Sequence, residues 1–376
     1  MVNYLFWRIL RLLGAAFLAS IVSFWLLALA PEPLLTTRQP KCQDQINHKR
    51  KYDLDIYFPY RFTRWFVGWP SGPTLFFAPN DKVGEIKQLK SCSKPLITTF
   101  ADLTNRTNNP RGVLFLDFGL SQKIQLNQPV LTIILGRLPY TLLLMGTSTF
   151  FTLFIAMILG IYSAVKQYSL FDNVVTTLAF VGSSLPTFFL AVIFVLLLVI
   201  LPYKALGCSF LPPNGPYANR DYCLFNPSII ISAKSFLDQA LHLILPCSIL
   251  TFVSIADWSR FIRSSMLEVL NQDYIRAAYA KGVRKEKVIF WHAFRNALIP
   301  VVTLVAGIIP NLFGGAVIIE TIFNWPGTGR LLIDALGVSD YNVAIAVLSI
   351  TILLQMVGYL LSDILYTLAD PKIRLG

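Results

Sequence analysis

The residues of this chain that could do chemistry are few, and their spacing argues against a catalytic centre. Three histidines, His48, His242 and His292, stand far apart, and no CxxC pair joins them to make a zinc-ligand set. No GxxxxGK[ST] loop is present to cradle phosphates, and no nucleophile elbow breaks a strand. The sequence therefore reads as a non-enzyme with no metal and no cofactor of its own. The five cysteines have a different use. Cys247 lies in an apolar run, whereas Cys42, Cys92, Cys208 and Cys223 fall in polar segments. An even number in an oxidising compartment points to bridges, and four thiols admit three pairings. Cys42–Cys92 and Cys208–Cys223 are the simplest, with unpaired thiols as the alternative. Acidic residues in the apolar runs are limited to Asp257, Glu320 and Asp363. Asp257 precedes Arg260 by three residues, which a local helix pair explains. Glu320 and Asp363 lie near run ends, where an interface position is cheap.

The elements that carry these residues are set by composition. Of 376 residues, 55% are hydrophobic and 14% charged. A soluble domain carries about 25% charged residues. Mean hydropathy is +0.59. Soluble enzymes, disordered chains and small disulfide-stapled domains are excluded. Six apolar segments, Leu12–Ala30, Leu138–Val165, Val174–Leu201, Leu241–Phe261, Leu298–Phe323 and Val343–Leu365, are each long enough to cross a bilayer as a helix. They are continuous rather than alternating, which excludes a transmembrane β-barrel. The fold class read from this pattern is an all-α membrane protein with six transmembrane helices and a large extracytoplasmic insertion between the first and second. With the N-terminus inside, the inner segments carry 13 basic residues and the short outer loops 4. That bias gives cytoplasmic N- and C-termini. The segment 31–137 holds 15 basic and 8 acidic residues, and long loops cross largely regardless of charge. The net charge of +12 thus reflects topology and calls for no nucleic acid. Arg8, Arg11 and the run ending Ala28-Leu29-Ala30 also look like a secretory leader. The length of the run and Pro31 favour a retained helix. Pro186 kinks the third run.

The most informative loop spans 260–297. Met266, Leu267, Val269 and Leu270 lead into a helix carrying Asp273, Tyr274, Arg276, Ala277, Ala278 and Lys281. Gly282 ends that helix, as a left-handed glycine does. Val283, Val288, Ile289 and Trp291 then start another. Ala277 and Ala278 let another backbone approach. The loop reads equally as a knob for a partner's groove or as an amphipathic surface facing anionic headgroups.

The stretch DYIRAAYAKG at 273–282, followed by HAFRNALIP at 292–300, resembles the EAA loop of ABC importer permeases. That pattern is Glu-Ala-Ala, three residues, then Gly. Here Arg276 stands at the Glu position, as in the oligopeptide/dipeptide/nickel branch. Further matches are DFGLS at 117–121, RLPYTLLL at 137–144, SSLPTFFLA at 183–191, SRFIRSSMLEVL at 259–270, IETIFNWPGTGRLLIDAL at 319–336 and LADPKIR at 368–374. They cover residues 1–30 and most of 112–376. The first outer loop departs from the family, because roughly 70–112 looks inserted, including the glycosylation-like triplet Asn105-Arg106-Thr107. The aromatic, basic segment 57–69 beside it suits a membrane interface.

The resemblance implies an N-terminal helix at 1–30, an extracytoplasmic region at 31–130 and a five-helix permease core at 131–376 in a bacterial inner membrane. It implies a second, similar permease, two ATPase subunits supplying ATP and Mg chemistry, and an extracytoplasmic solute-binding protein. The loop would couple to the ATPases, and the turn Asn324, Trp325, Pro326, Gly327 and Gly329 would belong to an outer gate. Peptide, nickel chelate, opine and glutathione all remain open as substrates. A stand-alone secondary transporter would need coupling charges and usually inverted repeats, and neither is evident. A membrane-anchored receptor built around 31–137 is the other alternative.

Overall fold

The structure, a computed structural model, describes residues 2–28, 41–51, 53–68, 80–87, 92, 95–104 and 111–369. Helix α1 (Val2–Ala28) is followed by α2 (Cys42–Lys51), α3 (Phe58–Val67), strands β1 (Lys82–Ile86) and β2 (Leu96–Thr99), and α4 (Phe100–Thr104). Then come α5 (Val130–Val165), α6 (Leu170–Ser184), α7 (Thr187–Val195), a π turn (Leu196–Ile200) and α8 (Leu201–Leu206). Strands β3 (Tyr222–Leu224) and β4 (Asn226–Ile231) precede α9 (Phe236–Leu270), α10 (Asp273–Ala280) and α11 (Lys285–Lys287). A second π turn (Val288–Ala293) leads into α12 (Phe294–Gly314), α13 (Val317–Ile322), α14 (Thr328–Gly337) and α15 (Tyr341–Ala369).

Among the described residues, five helices are long and apolar enough to cross a membrane: Phe6–Leu26, Val130–Val165, Thr187–Leu206, Phe236–Leu270 and Tyr341–Leu365. A sixth is reached if the pair Lys285–Leu298 and Pro300–Gly314, bent by 41°, counts as one span. The described residues are mainly helical, in keeping with an all-α membrane protein, with two short antiparallel ribbons, β1–β2 and β3–β4, beside the helices. Two apolar runs are also broken. The third ends its first helix at Ser184, because Pro186 holds Leu185 extended at φ −90° and ψ 134°. The fifth breaks at Gly315, whose φ of +69° suits glycine. The first break is the one that Pro186 predicts, whereas apolar composition does not reveal the second.

Two compact units make up the chain. One comprises Met1–Leu10, Arg137–Arg330 and Leu353–Gly376, and the other Arg11–Gly136 and Leu331–Ile352. In the second, Val113, Phe118, Val130, Ile133 and Ile134 share a core with Leu331, Val343 and Val347. Asp340 ties this unit together. One of its oxygens accepts from Ser121 Oγ at 2.7 Å and from the backbone N–H groups of Gln122, Lys123 and Ile124 at 2.9, 2.9 and 3.2 Å. Cys42 is bridged to Cys92, with Cα atoms 5.0 Å apart. The stretch 70–112 contributes β1, β2 and α4, while Asn105-Arg106-Thr107 lies outside the described residues, as do Lys372 and Arg374.

In the first unit, Ser169 and Ser235 cap α6 and α9 by accepting from Asp172 N at 3.3 Å and Asp238 N at 3.1 Å. Cys208 is bridged to Cys223, with Cα atoms 5.4 Å apart, and Cys247 is free and buried. Asp257 pairs with Arg260 at 2.6 Å, the local helix pair the spacing predicts. Asp363 accepts from Arg8 Nε at 2.7 Å, a pairing that the sequence does not reveal. Sequence reasoning missed Asp172. Its buried carboxylate takes both prongs of Arg263, each at 2.7 Å, with Ser163 Oγ and Tyr168 N as further donors.

The Arg263 guanidinium holds the Asp172 carboxyl well below the usual carboxylate range. A depressed folded pKa stabilises fully above the unfolded value and is lost as pH falls toward the folded one. Asp172→Ala should lower stability by about 2–3 kcal/mol, less than a fully buried pair because Arg263 is partly exposed. Thermal unfolding in detergent should show a constant gap between the two proteins at neutral pH. The gap should close only below about pH 4.

Candidate functional sites: the 260–297 loop and a buried-carboxylate turn

The loop is built on one apolar cluster. Met266 from α9, Ile275 from α10, Val288, Ile289 and Ala293 from the π turn, and Ala164 from α5 are all buried together. Ile275 is the only buried residue of α10, so this short helix docks through a single side chain. Ala278 is half-buried against the same cluster. Asp273, Tyr274, Arg276 and Ala277 are exposed, as are Lys281 and Gly282. Thus six of the seven residues singled out in this loop face away from the core.

Local backbone geometry explains the sharp end. The N–H groups of Lys281, Gly282 and Val283 donate to the carbonyls of Ala277, Tyr279 and Ala278 at 3.1, 2.9 and 3.2 Å. Gly282 has φ +77°, and a Cβ there would meet nothing within 4 Å. Glycine is therefore required by the backbone, while the space beside it is open. The Arg276–Asp273 pair, 3.8 Å apart and exposed, contributes little stability. Tyr274 Oη accepts from Asn296 Nδ2 at 3.0 Å, which ties α10 to α12. Tyr279, Phe290 and Trp291 are also exposed. Tyr279 and Phe290 escaped sequence reasoning, because helical spacing treats aromatic residues as core by default.

The turn after α13 is organised around Glu320. This corrects the interface reading of Glu320, which is 0% exposed. Its carboxyl group accepts from Thr141 Oγ1 at 3.0 Å and from Arg330 N, in the first turn of α14, at 2.9 Å. Among the described residues it has no ion-pair partner. Thr141 Oγ1 in turn accepts from Thr328 N at 2.8 Å. Trp325 is buried, and its Nε1 donates to Tyr140 O at 2.9 Å, so it belongs to the core rather than to a lipid interface. Asn324 is exposed with φ +53°, and its carbonyl accepts from Arg330 Nη1 at 2.8 Å. Pro326 is half-buried, and Gly327 and Gly329 are buried. A Cβ on Gly327 would stand 2.4 Å from the Glu320 carboxyl, and one on Gly329 would stand 2.9 Å from it. The Gly-Thr-Gly sequence two turns beyond an apolar-flanked Glu was the available signal.

Neither site offers a nucleophile beside a base or a cluster of metal ligands among the described residues. What the fold defines is a polytopic helical membrane protein with an exposed loop helix at 273–280 and a closed turn around a buried carboxyl group. Residues 156–375 match the family described as "binding-protein-dependent transport system inner membrane component". The chain is 38% identical over 277 residues to the oligopeptide transport system permease protein AppB of Bacillus subtilis, covering 71% of this chain and 82% of that one. It is 36% identical over 269 residues to the dipeptide transport system permease protein DppB of Escherichia coli K12, covering 70% and 78%. The di/tripeptide permease DppB of Pseudomonas aeruginosa is 38% identical over 244 residues, covering 63% and 70%. The chain belongs to this family: it is a multi-pass inner-membrane permease subunit of an ABC importer, whose ATP hydrolysis lies in separate subunits.

Gly327→Ala and Gly329→Ala should each lower the thermal midpoint of the detergent-purified chain, because the new methyl groups displace the Glu320 carboxyl. Glu320→Gln turns one acceptor into a donor facing a donor, which costs about 1–3 kcal/mol. Gly337→Ala, at a helical site with nothing within 4 Å of the new Cβ, should leave the midpoint unchanged.

Proposed function

We propose that this chain forms half of the translocation path for a peptide or a related small solute, paired with a second, similar permease. Peptide is the substrate class favoured because the relatives that match most of the chain are named as oligopeptide, dipeptide and di/tripeptide permeases. In this reading, six spans cross the membrane with both termini in the cytoplasm, as the basic-residue bias requires. The region between α1 and α5 is an extracytoplasmic insertion that faces the solute-binding protein. The chain binds no cofactor, and ATP with Mg is held by two partner ATPases.

The observation that carries the coupling role is the exposed face of α10. A helix held by Ile275 and by the Asn296–Tyr274 hydrogen bond presents Asp273, Tyr274, Arg276, Ala277 and Lys281 outward and ends at an open Gly282. Such a face suits a groove on an ATPase. Closure of the ATPases would push α10, and the push would pass through the Ile275, Met266, Val288 and Ala164 contacts into α9 and α5. Coupling through packed contacts needs such a contiguous cluster. The turn at Asn324, Trp325, Pro326, Gly327 and Gly329 acts as a rigid part of the outer gate.

Gly282→Trp should abolish ATP-driven uptake in reconstituted vesicles while leaving membrane insertion and yield intact. Gly282→Asn should retain uptake, because Asn tolerates the left-handed conformation. Wild-type transport by the Trp variant would exclude Gly282 from the docking face.

A further inference from the structure

Helix α3 lies along a membrane-crossing helix, in a way that its sequence between two loops does not announce. Phe58 packs on Phe24 of α1 at 5.7 Å between ring centroids, and Phe66 packs on Phe17 at 5.4 Å. Phe62 bridges the two, at 5.5 Å from Phe24 and 6.0 Å from Phe17. The two helices therefore run side by side and antiparallel for two turns, about 10 Å. Phe17 and Phe24 lie inside the candidate span Phe6–Leu26. Phe17 is nine residues from the end of that span, or about 13 Å into a core of about 30 Å. A span with those bounds would place the deep end of α3 at hydrocarbon depth.

The polar side chains of α3 are arranged for that depth. Arg64 is buried and donates to Asp53 at 3.1 Å. The Arg61 guanidinium lies 5.6 Å over the Phe24 ring, toward the shallow end. The exposed stripe, Pro59, Thr63 and Val67, has no charge.

A second element is locked to that deep end. Helix α3 stops at Gly68, φ +73°, where a Cβ would stand 2.1 Å from Arg111 O. A Cβ on Gly112 would stand 2.3 Å from Gly68 N. These two glycines let the backbones cross in contact, so α3 and the residues after Gly112 act as one body. Those residues form a finger on which Leu114, Phe115 and Leu116 are 62%, 64% and 57% exposed. Leu116 has φ +59°, a conformation a branched side chain rarely adopts. Asp117 enforces it: its N–H donates to Gly112 O at 3.1 Å, and its carboxylate accepts from Arg111 N at 2.8 Å and Gly119 N at 3.0 Å. Val113, at the root, is buried against Val130, Ile133 and Ile134, where α5 begins. Strain maintained to present three consecutive large apolar side chains needs an apolar partner.

We propose that α3 and the Leu114–Leu116 finger form one interfacial anchor, with phospholipid acyl chains as the occupant of the finger. Lipid is favoured over a protein because the finger is fixed to the deep end of a helix that lies within the span of α1, whose own Leu18 and Val22 are exposed. The anchor would fix the depth of the whole segment between α1 and α5. Its depth is independent of the proposed orientation, which decides only that the leaflet is the outer one.

The test attaches a nitroxide at Leu114→Cys, Phe115→Cys and Thr63→Cys in the full transporter, reconstituted in phosphatidylethanolamine and phosphatidylglycerol vesicles. Gln125→Cys, in an exposed turn, serves as the aqueous control. Each variant is first required to elute with the wild-type complex. Power-saturation spectroscopy then compares collisions with oxygen, which concentrates in lipid, and with chromium oxalate, which stays in water. The proposal expects oxygen to dominate at the finger and at position 63, and chromium oxalate at 125. Chromium oxalate dominating at the finger would overturn it, and so would low collision with both reagents, which signifies a protein cover.

Discussion

A carboxyl group sealed from solvent is the interaction on which the permease unit turns. Glu320 sits at 0% exposure with a hydroxyl on one oxygen and the first turn of a helix on the other. A buried polar group without partners is costly, so its partners become fixed. Thr141 must stay on α5, Arg330 N must stay at the start of α14, and no side chain can occupy position 327. Trp325, anchored to the Tyr140 carbonyl, follows from the same closure. A loop between two membrane helices thereby becomes as rigid as a core.

That rigidity has a counterpart at the other functional site. The α10 helix is tied down by Ile275 and by the Asn296–Tyr274 hydrogen bond, with its remaining face free. Nearby, the π turn Val288–Ala293 carries Val288, Ile289 and Ala293 inward and leaves Phe290 and Trp291 out. The coupling role proposed for this loop needs such a firm apolar footing, since a flexible loop would absorb a push. The breaks at Pro186 and Gly315 fit this picture, since a membrane chain tolerates irregular backbone only where other groups satisfy it. At Gly315 the Glu320 carboxyl lies 3.1 Å from where a Cβ would project.

Much of the architecture was readable from residues. Long apolar runs announced the spans because the bilayer demands continuous apolarity, and the spacing up to Gly282 announced a short helix closed by a left-handed glycine. What sequence could not convey was partnership at long range. Asp363 and Glu320 looked like interface residues because each stands near the end of an apolar run. Their partners, Arg8 and Thr141, are 355 and 179 residues away. Trp325 follows the fifth apolar run directly, yet its indole N–H is used inside the fold. Asp172 drew no notice because nothing local marks it as the partner of Arg263, 91 residues on.

The central claim is that the exposed face of α10 is the place where ATPases meet this permease. The most direct measurement is site-directed cross-linking from Ala280→Cys, an exposed position beside Gly282, in native membranes, followed by mild-detergent purification and mass spectrometry. The account predicts an adduct with an ATP-binding subunit, accompanied by a second permease of similar size. Repeated recovery of the chain alone, with no ATP-binding subunit cross-linked, would contradict it.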